Sequence, residues 1–236
     1  GTTALVNAAL NSHTRCVELL IAARANIDAK DSSGATALIS AAKGSHSGCV
    51  EMTERHNAAM YDIGDTDTPA MIRVPRGNSQ CLGALIEARA NLEAKDEEDK
   101  TALTHAAASG HSHCVELLVA ANADVEASDA EGWTPLLWAC ESADCLQILI
   151  DAQANVNVRD DDGQTALMIA VKMRHTECVR RLVAAKADAN VQDNSLVNAL
   201  ILAVLINNTE CVRLPIPLTT DLEVKEIGRA SCRERV

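Results

Sequence analysis

Cysteine returns along this chain at Cys16, Cys49, Cys81, Cys114, Cys145, Cys178 and Cys211, at spacings of 33, 32, 33, 31, 33 and 33 residues. A second marker keeps the same beat: Thr3-Ala4-Leu5, Thr36-Ala37-Leu38, Thr68-Pro69-Ala70, Thr101-Ala102-Leu103, Thr134-Pro135-Leu136, Thr165-Ala166-Leu167 and Asn198-Ala199-Leu200. Two independent markers agreeing over seven units define a tandem repeat. A period of this length means that each unit is one supersecondary motif, able to bury its apolar face only by stacking on its neighbours.

Within one unit, Leu103, Ala106 and Ala107 fall at helical spacing, and Gly110-His111 then interrupts the pattern. Cys114, Val115, Leu118 and Val119 form a second stripe of the same period. Each helix is only two to three turns long, too short to be stable alone in water. Composition fits this reading. Hydrophobic residues make up 47% of the chain, yet Phe is absent, Tyr occurs once and Trp twice. A core of Ala, Leu, Val, Ile and Cys suits thin layers of closely packed helices.

Thr-Pro-Leu, an Ala-Ala pair, Gly-His and Val-x-Leu-Leu at this period resemble the ankyrin repeat. The likeness is strongest in the unit TALTHAAASGHSHCVELLVAANADVEA and covers residues 1–214. It implies an all-α solenoid of about seven units starting near Thr3, Thr36, Thr68, Thr101, Thr134, Thr165 and Asn198, each a helix pair followed by a β-hairpin-like finger. Departures mark particular places. Met52 to Asp67 lacks the outer-helix pattern, and in the third unit Arg73 and Val74 replace the Ala pair, with Pro75 falling inside the expected helix, where it is disfavoured. The fifth unit is two residues short between Trp138 and Cys145, so its inter-helix turn must tighten. Where family members end the outer helix with a left-handed Gly, this chain has Arg24, Arg89, Asn122, Gln153 and Lys186. Residues 215–225 are expected to form an irregular tail. Glu226–Val236 (EIGRASCRERV) reads as a translated adapter, and the natural protein is expected to continue beyond both ends.

A net charge of −12 argues against nucleic-acid binding, which needs a basic stripe. The longest nearly apolar run, Leu196 to Ile206, is far shorter than the roughly 20 residues of a membrane-spanning helix. No nucleophile elbow, phosphate loop or zinc-protease motif occurs, so no catalytic residue, cofactor or metal is expected. The His-x-x-Cys pairs His13/Cys16, His46/Cys49, His111/Cys114 and His175/Cys178 offer two ligands each, whereas zinc wants three or four converging. The cysteines in register are expected to be small core residues, too far apart for disulfides, which favours an intracellular, reducing compartment, cytoplasmic or nuclear.

The resemblance implies a monomeric protein-interaction scaffold whose fingers and inner helices face the partner. The same array could instead be the regulatory or targeting segment of a longer enzyme or channel. It also implies hydroxylation of finger asparagines, with Asn157 and Asn190 as candidates. The acidic runs Asp96–Asp99 and Asp160–Asp162 are expected to be solvated finger tips, favouring a basic partner surface. Trp138 falls inside a helix and is expected in the core. Trp133, at a finger, is either an exposed anchor or packed on its neighbour. The expected partner-binding residues are Glu97, Glu98, Lys100, Ala130, Glu131, Trp133, Asp161, Asp162 and Gln164.

Overall fold

The computed structural model describes residues 1–44 and 77–213. Twelve helices run through them: α1 (Ala4–Leu10), α2 (Thr14–Ala22), α3 (Ala37–Lys43), α4 (Gly77–Glu87), α5 (Ala102–Ala108), α6 (Ser112–Ala120), α7 (Pro135–Trp138), α8 (Ala143–Asp151), α9 (Ala166–Lys172), α10 (Thr176–Ala184), α11 (Ala199–Leu205) and α12 (Thr209–Arg213). Odd-numbered helices stack on one another in one layer and even-numbered ones in a second, and each odd helix packs on the even helix that follows it. The result is a two-layer solenoid with a continuous core of Leu, Ala, Val, Ile and Cys.

The recurring Thr is the device that starts each first helix. Thr3, Thr36, Thr101 and Thr165 have extended backbones and accept a hydrogen bond from the amide three residues on, as Asn198 does in the last unit. Such a cap contributes about 1 kcal/mol. Thr134 makes no such bond; Pro135 follows it at the first helical position, and its hydroxyl is buried without a partner. The two-residue deletion after Trp138 tightens the turn as expected. Helix α7 has four residues, passes into a 3₁₀ turn over Ala139–Glu141, and Ser142 at once caps α8 through the Cys145 amide.

One pairing differs from the sequence expectation. Helix α4, expected as the outer helix of the third unit, packs on α3, the inner helix of the second, with residues 44–76 between them in the chain. In the stack, α3 lies between α1 and α5 while α4 lies between α2 and α6, so the described residues form six helix pairs. The expectations for Cys49, Met52 to Asp67, Thr68, Arg73 to Pro75 and everything beyond Arg213 lie outside the described residues.

Cys81, Cys114, Cys145, Cys178 and Cys211 are buried free thiols, and burial raises the thiol pKa of Cys81, Cys145, Cys178 and Cys211. Cys16 corrects the expectation for its ladder: it is exposed. Among the described residues helix α2 is stacked by α4 on one flank, and Cys16 and Leu19 line an open cleft beside α1.

Arg24, Arg89, Asn122, Gln153 and Lys186 all have φ between 59° and 66°, the left-handed conformation that the resemblance implies. For a non-glycine residue each costs about 1 kcal/mol. Two further left-handed positions recur. One lies between the helices, at Ser12, Gly110, Arg174 and Asn207; the other lies at the finger tip, at Gly34, Asp99, Gly132, Gly163 and Leu196.

Candidate interaction surface at the finger tips

Five fingers are described, and each is folded by an aspartate: Asp31, Asp96, Asp129, Asp160 and Asp193. The amide of this residue donates to the carbonyl four residues on, at Ala35, Lys100, Trp133, Gln164 and Val197. In return its carboxylate accepts amides from within the same turn: Ser33 and Ala35 at Asp31, Glu98 and Lys100 at Asp96, Glu131 and Trp133 at Asp129, Gln164 at Asp160, and Ser195 and Val197 at Asp193. Asp96 and Asp160 are therefore buried scaffolding rather than solvated tips, which corrects the reading of the two acidic runs. Their neighbours Glu97, Glu98, Asp161 and Asp162 are exposed, as expected. The fingers form no extended strands among the described residues, only an isolated bridge between Arg159 and Thr165.

The fourth residue after the cap reaches back to the same aspartate in two adjacent units. His105 donates from Nε2 to Asp96 Oδ2 at 2.8 Å, and Trp138 donates from Nε1 to Asp129 Oδ2 at 2.8 Å. Asp96 also pairs with Lys43 at 2.9 Å. Burial alone would raise the Asp96 pKa; the bonds from Lys43, His105 and the Lys100 amide outweigh it and hold the carboxyl at about 2. Burial likewise pulls His105 below the ordinary imidazole value, against the opposing pull of Asp96.

Trp138 is half-buried and presents its ring to the finger layer, not wholly inside the core as expected. Its indole needs an acceptor, which Asp129 supplies at the core's edge. Lys100 holds its ammonium 4.3 Å from the Trp138 ring centre and 2.8 Å from Glu98, and this bond keeps the Glu98 carboxyl below its usual range. Trp133 packs against Trp138, ring centres 4.8 Å apart and tilted by 49°. Trp133 is thus half-buried and packed, with part of its surface left accessible.

Successive fingers are joined in three ways. A side chain in each finger accepts the amide at the start of the next: Asp28 from Asn91, Glu93 from Asp124, Glu126 from Asn155 and Asn157 from Asp188. Long cations strap across to the next finger's carbonyl, Lys30 to Lys95, Lys95 to Ser128 and Arg159 to Gln192. At the tips, the Glu97 amide donates to Ser33, Ala130 to Glu98 and Asn194 to Asp162. Between the third and fourth fingers only the first kind is present. Ser128 stands where the fingers that strap have Lys30, Lys95 and Arg159, and Asp161 makes no tip bond to Glu131. Here a cleft of about 260 Å³ opens, lined by Ala130, Glu131, Trp133, Asp160, Asp161 and Asp162.

Five residues expected at a binding surface, Ala130, Glu131, Trp133, Asp161 and Asp162, thus share one cleft. Glu97, Glu98 and Lys100 lie one finger earlier. Gln164 does not line the cleft; its main chain closes its own finger on Asp160. Lys43, His105, Asp129 and Trp138 were not singled out for this surface, and comparison of equivalent repeat positions is the signal that finds them.

Two of the His-x-x-Cys histidines tie the stack together through the inner layer. His111 Nδ1 lies 3.0 Å from the Ala42 carbonyl and His175 Nδ1 lies 2.8 Å from that of Cys140. Among the described residues no three His, Cys, Asp or Glu converge as a metal site. Within the same residues no helix is long and apolar enough to cross a membrane.

Helix pairs stacked in two layers, joined by aspartate-folded fingers, define a repeat solenoid. The family model for ankyrin repeats matches over residues 1–67, 54–129, 70–160, 113–193 and 142–225, and the chain belongs to the ankyrin-repeat family. Ankyrin repeats generally serve as protein–protein interaction modules and are typically non-catalytic. No curated relative matches the chain.

Proposed function

We propose that this chain is a non-catalytic interaction scaffold that binds a basic protein surface through its finger tips and the adjoining inner helices. The observation that carries this reading is the half-buried tryptophan beside an acid-rimmed cleft. A rigid aromatic that already gives up part of its area is a suitable anchor, and the surrounding exposed carboxylates would steer a cationic partner. The free thiols support a reducing compartment, the cytoplasm or nucleus.

Position-specific cross-linking tests the surface. A photoreactive residue placed in cells at exposed Ala130 should capture partner protein, whereas one at exposed Arg180 on α10 should not. Raising the salt should weaken capture, since charges separated by more than about 8–10 Å are screened. Capture at Arg180 alone would move the interface to the outer helices.

A further inference from the structure

We infer that the cleft between the third and fourth fingers is a slot for one positively charged side chain, lysine or arginine, of a protein segment lying across the finger tips. The inference rests on the interaction surface proposed above and specifies what this part of it accepts. Its first support is the pair of joints this gap lacks. The other three described gaps each carry a tip bond and a cationic strap, whereas this one carries neither and leaves about 260 Å³ between its walls.

The second support is charge without an answer. Glu131, Asp161 and Asp162 are exposed and enter no ion pair among the described residues. Arg159, the nearest cation in sequence, is committed to the carbonyls of Gly163 and Gln192. Three exposed carboxylates on two facing turns thus line one cleft with no cation of the described chain paired to them, and a single ammonium or guanidinium between them would meet several acceptors at once.

The third support is that the chain displays a filled version of the same chemistry one gap earlier. There Lys100 sits over the Trp138 ring with its charge on Glu98. The open gap has a tryptophan, Trp133, with acids on both sides; Trp133 itself stands at the position Lys100 holds one finger earlier, so no cation among the described residues is placed over its ring. An aromatic surface with carboxylates beside it favours a cation over a neutral side chain, because ring quadrupole and charge act in the same direction. The space is too small for a folded element and suits the end of one long side chain.

The test follows the Trp133 indole N–H by NMR in the full chain during titration with N-acetyl-arginine amide, N-acetyl-lysine amide and the neutral isostere N-acetyl-citrulline amide. Both cations should shift it saturably, with citrulline weaker by about tenfold or more. The double variant Asp161→Asn/Asp162→Asn should lose the cation response to a similar degree while unfolding at or above the parent's midpoint. A citrulline response equal to arginine's, absence of a saturable shift with either cation, or unchanged affinity in the double variant each overturns the slot. Cross-linking at Ala130 judges the wider reading separately. Capture there alongside a slot indifferent to charge would leave a finger-tip interface of other chemistry, and failure of capture would remove the interface itself.

Discussion

The gap between the second and third fingers and the gap between the third and fourth are built on the same backbone and end up unlike. In the earlier one, Lys95 straps across to Ser128, Ala130 bonds the Glu98 carbonyl, and Lys100 lies on Trp138. In the later one, Ser128 has no reach, the tip bond is missing, and acids face each other across a cleft. A repeat fixes where side chains go, and single residues at fixed offsets from the capping threonine then decide whether a gap is sealed by the chain's own cation or stays open.

The largest effects should come from the frame that both gaps share. Asp96→Ala strands two amides together with His105 and Lys43 and should cost about 3 kcal/mol, while Asp129→Ala strands two amides and the Trp138 indole and should cost about 2 kcal/mol. Urea midpoints at pH 7 measure both, and a loss at only one site would break the claim of a common frame. The pH dependence should separate them further. Asp96 has a depressed folded pKa, so its stabilisation is complete above the unfolded value of 3.8 and is lost as pH falls through about 2. The stability difference between parent and Asp96→Asn should therefore shrink across that acid window. His105, also depressed, works in the same direction from a higher start, its contribution being present above 6.5 and lost as pH falls through its lower folded value.

Smaller changes address what differs between the gaps. Lys100→Ala uncovers Trp138 and releases Glu98, and should cost about 1 kcal/mol with a visible change in tryptophan emission. Ser128→Lys should supply the missing strap and raise stability by about 0.5 kcal/mol in denaturant titrations. The finest test is one of sign. Glu98→Gln should destabilise and Asp161→Asn stabilise, each by about 0.3 kcal/mol, since one acid has a cation beside it and the other has only acids. Equal signs would mean that the two gaps are electrostatically alike.

Much of the architecture is readable because the repeat markers have separate physical roles. The threonines are caps and the cysteines mostly core, so the same period emerges from two kinds of constraint. The left-handed helix ends at Arg24, Arg89, Asn122, Gln153 and Lys186 follow from the family's glycine at that place. The convergence of Glu131 with Asp161 and Asp162 is arithmetic, since residues one period apart become neighbours. What escaped the sequence depends on the stack as a whole. Nothing local to Cys16 says that it is exposed, and nothing in the beat says that α4 packs on α3. Asp96 and Asp160 look like any member of an acidic run. Only the placement of each five residues before a capping threonine marks it as the one turned inward.

That junction of α3 and α4 bears on the order in which the molecule assembles. From α5 onward each helix docks on a partner a few residues away, and such local contacts form quickly because little chain must be closed to make them. Helices α3 and α4 meet across residues 44–76, so this one pairing is made between distant stretches of sequence. Among the described residues, helices α1 and α2 join the rest of the stack through these two. Assembly is then expected to begin in the later units and finish with the arrival of the first three helices. Amide protons of α1 to α3 should accordingly gain protection last on refolding.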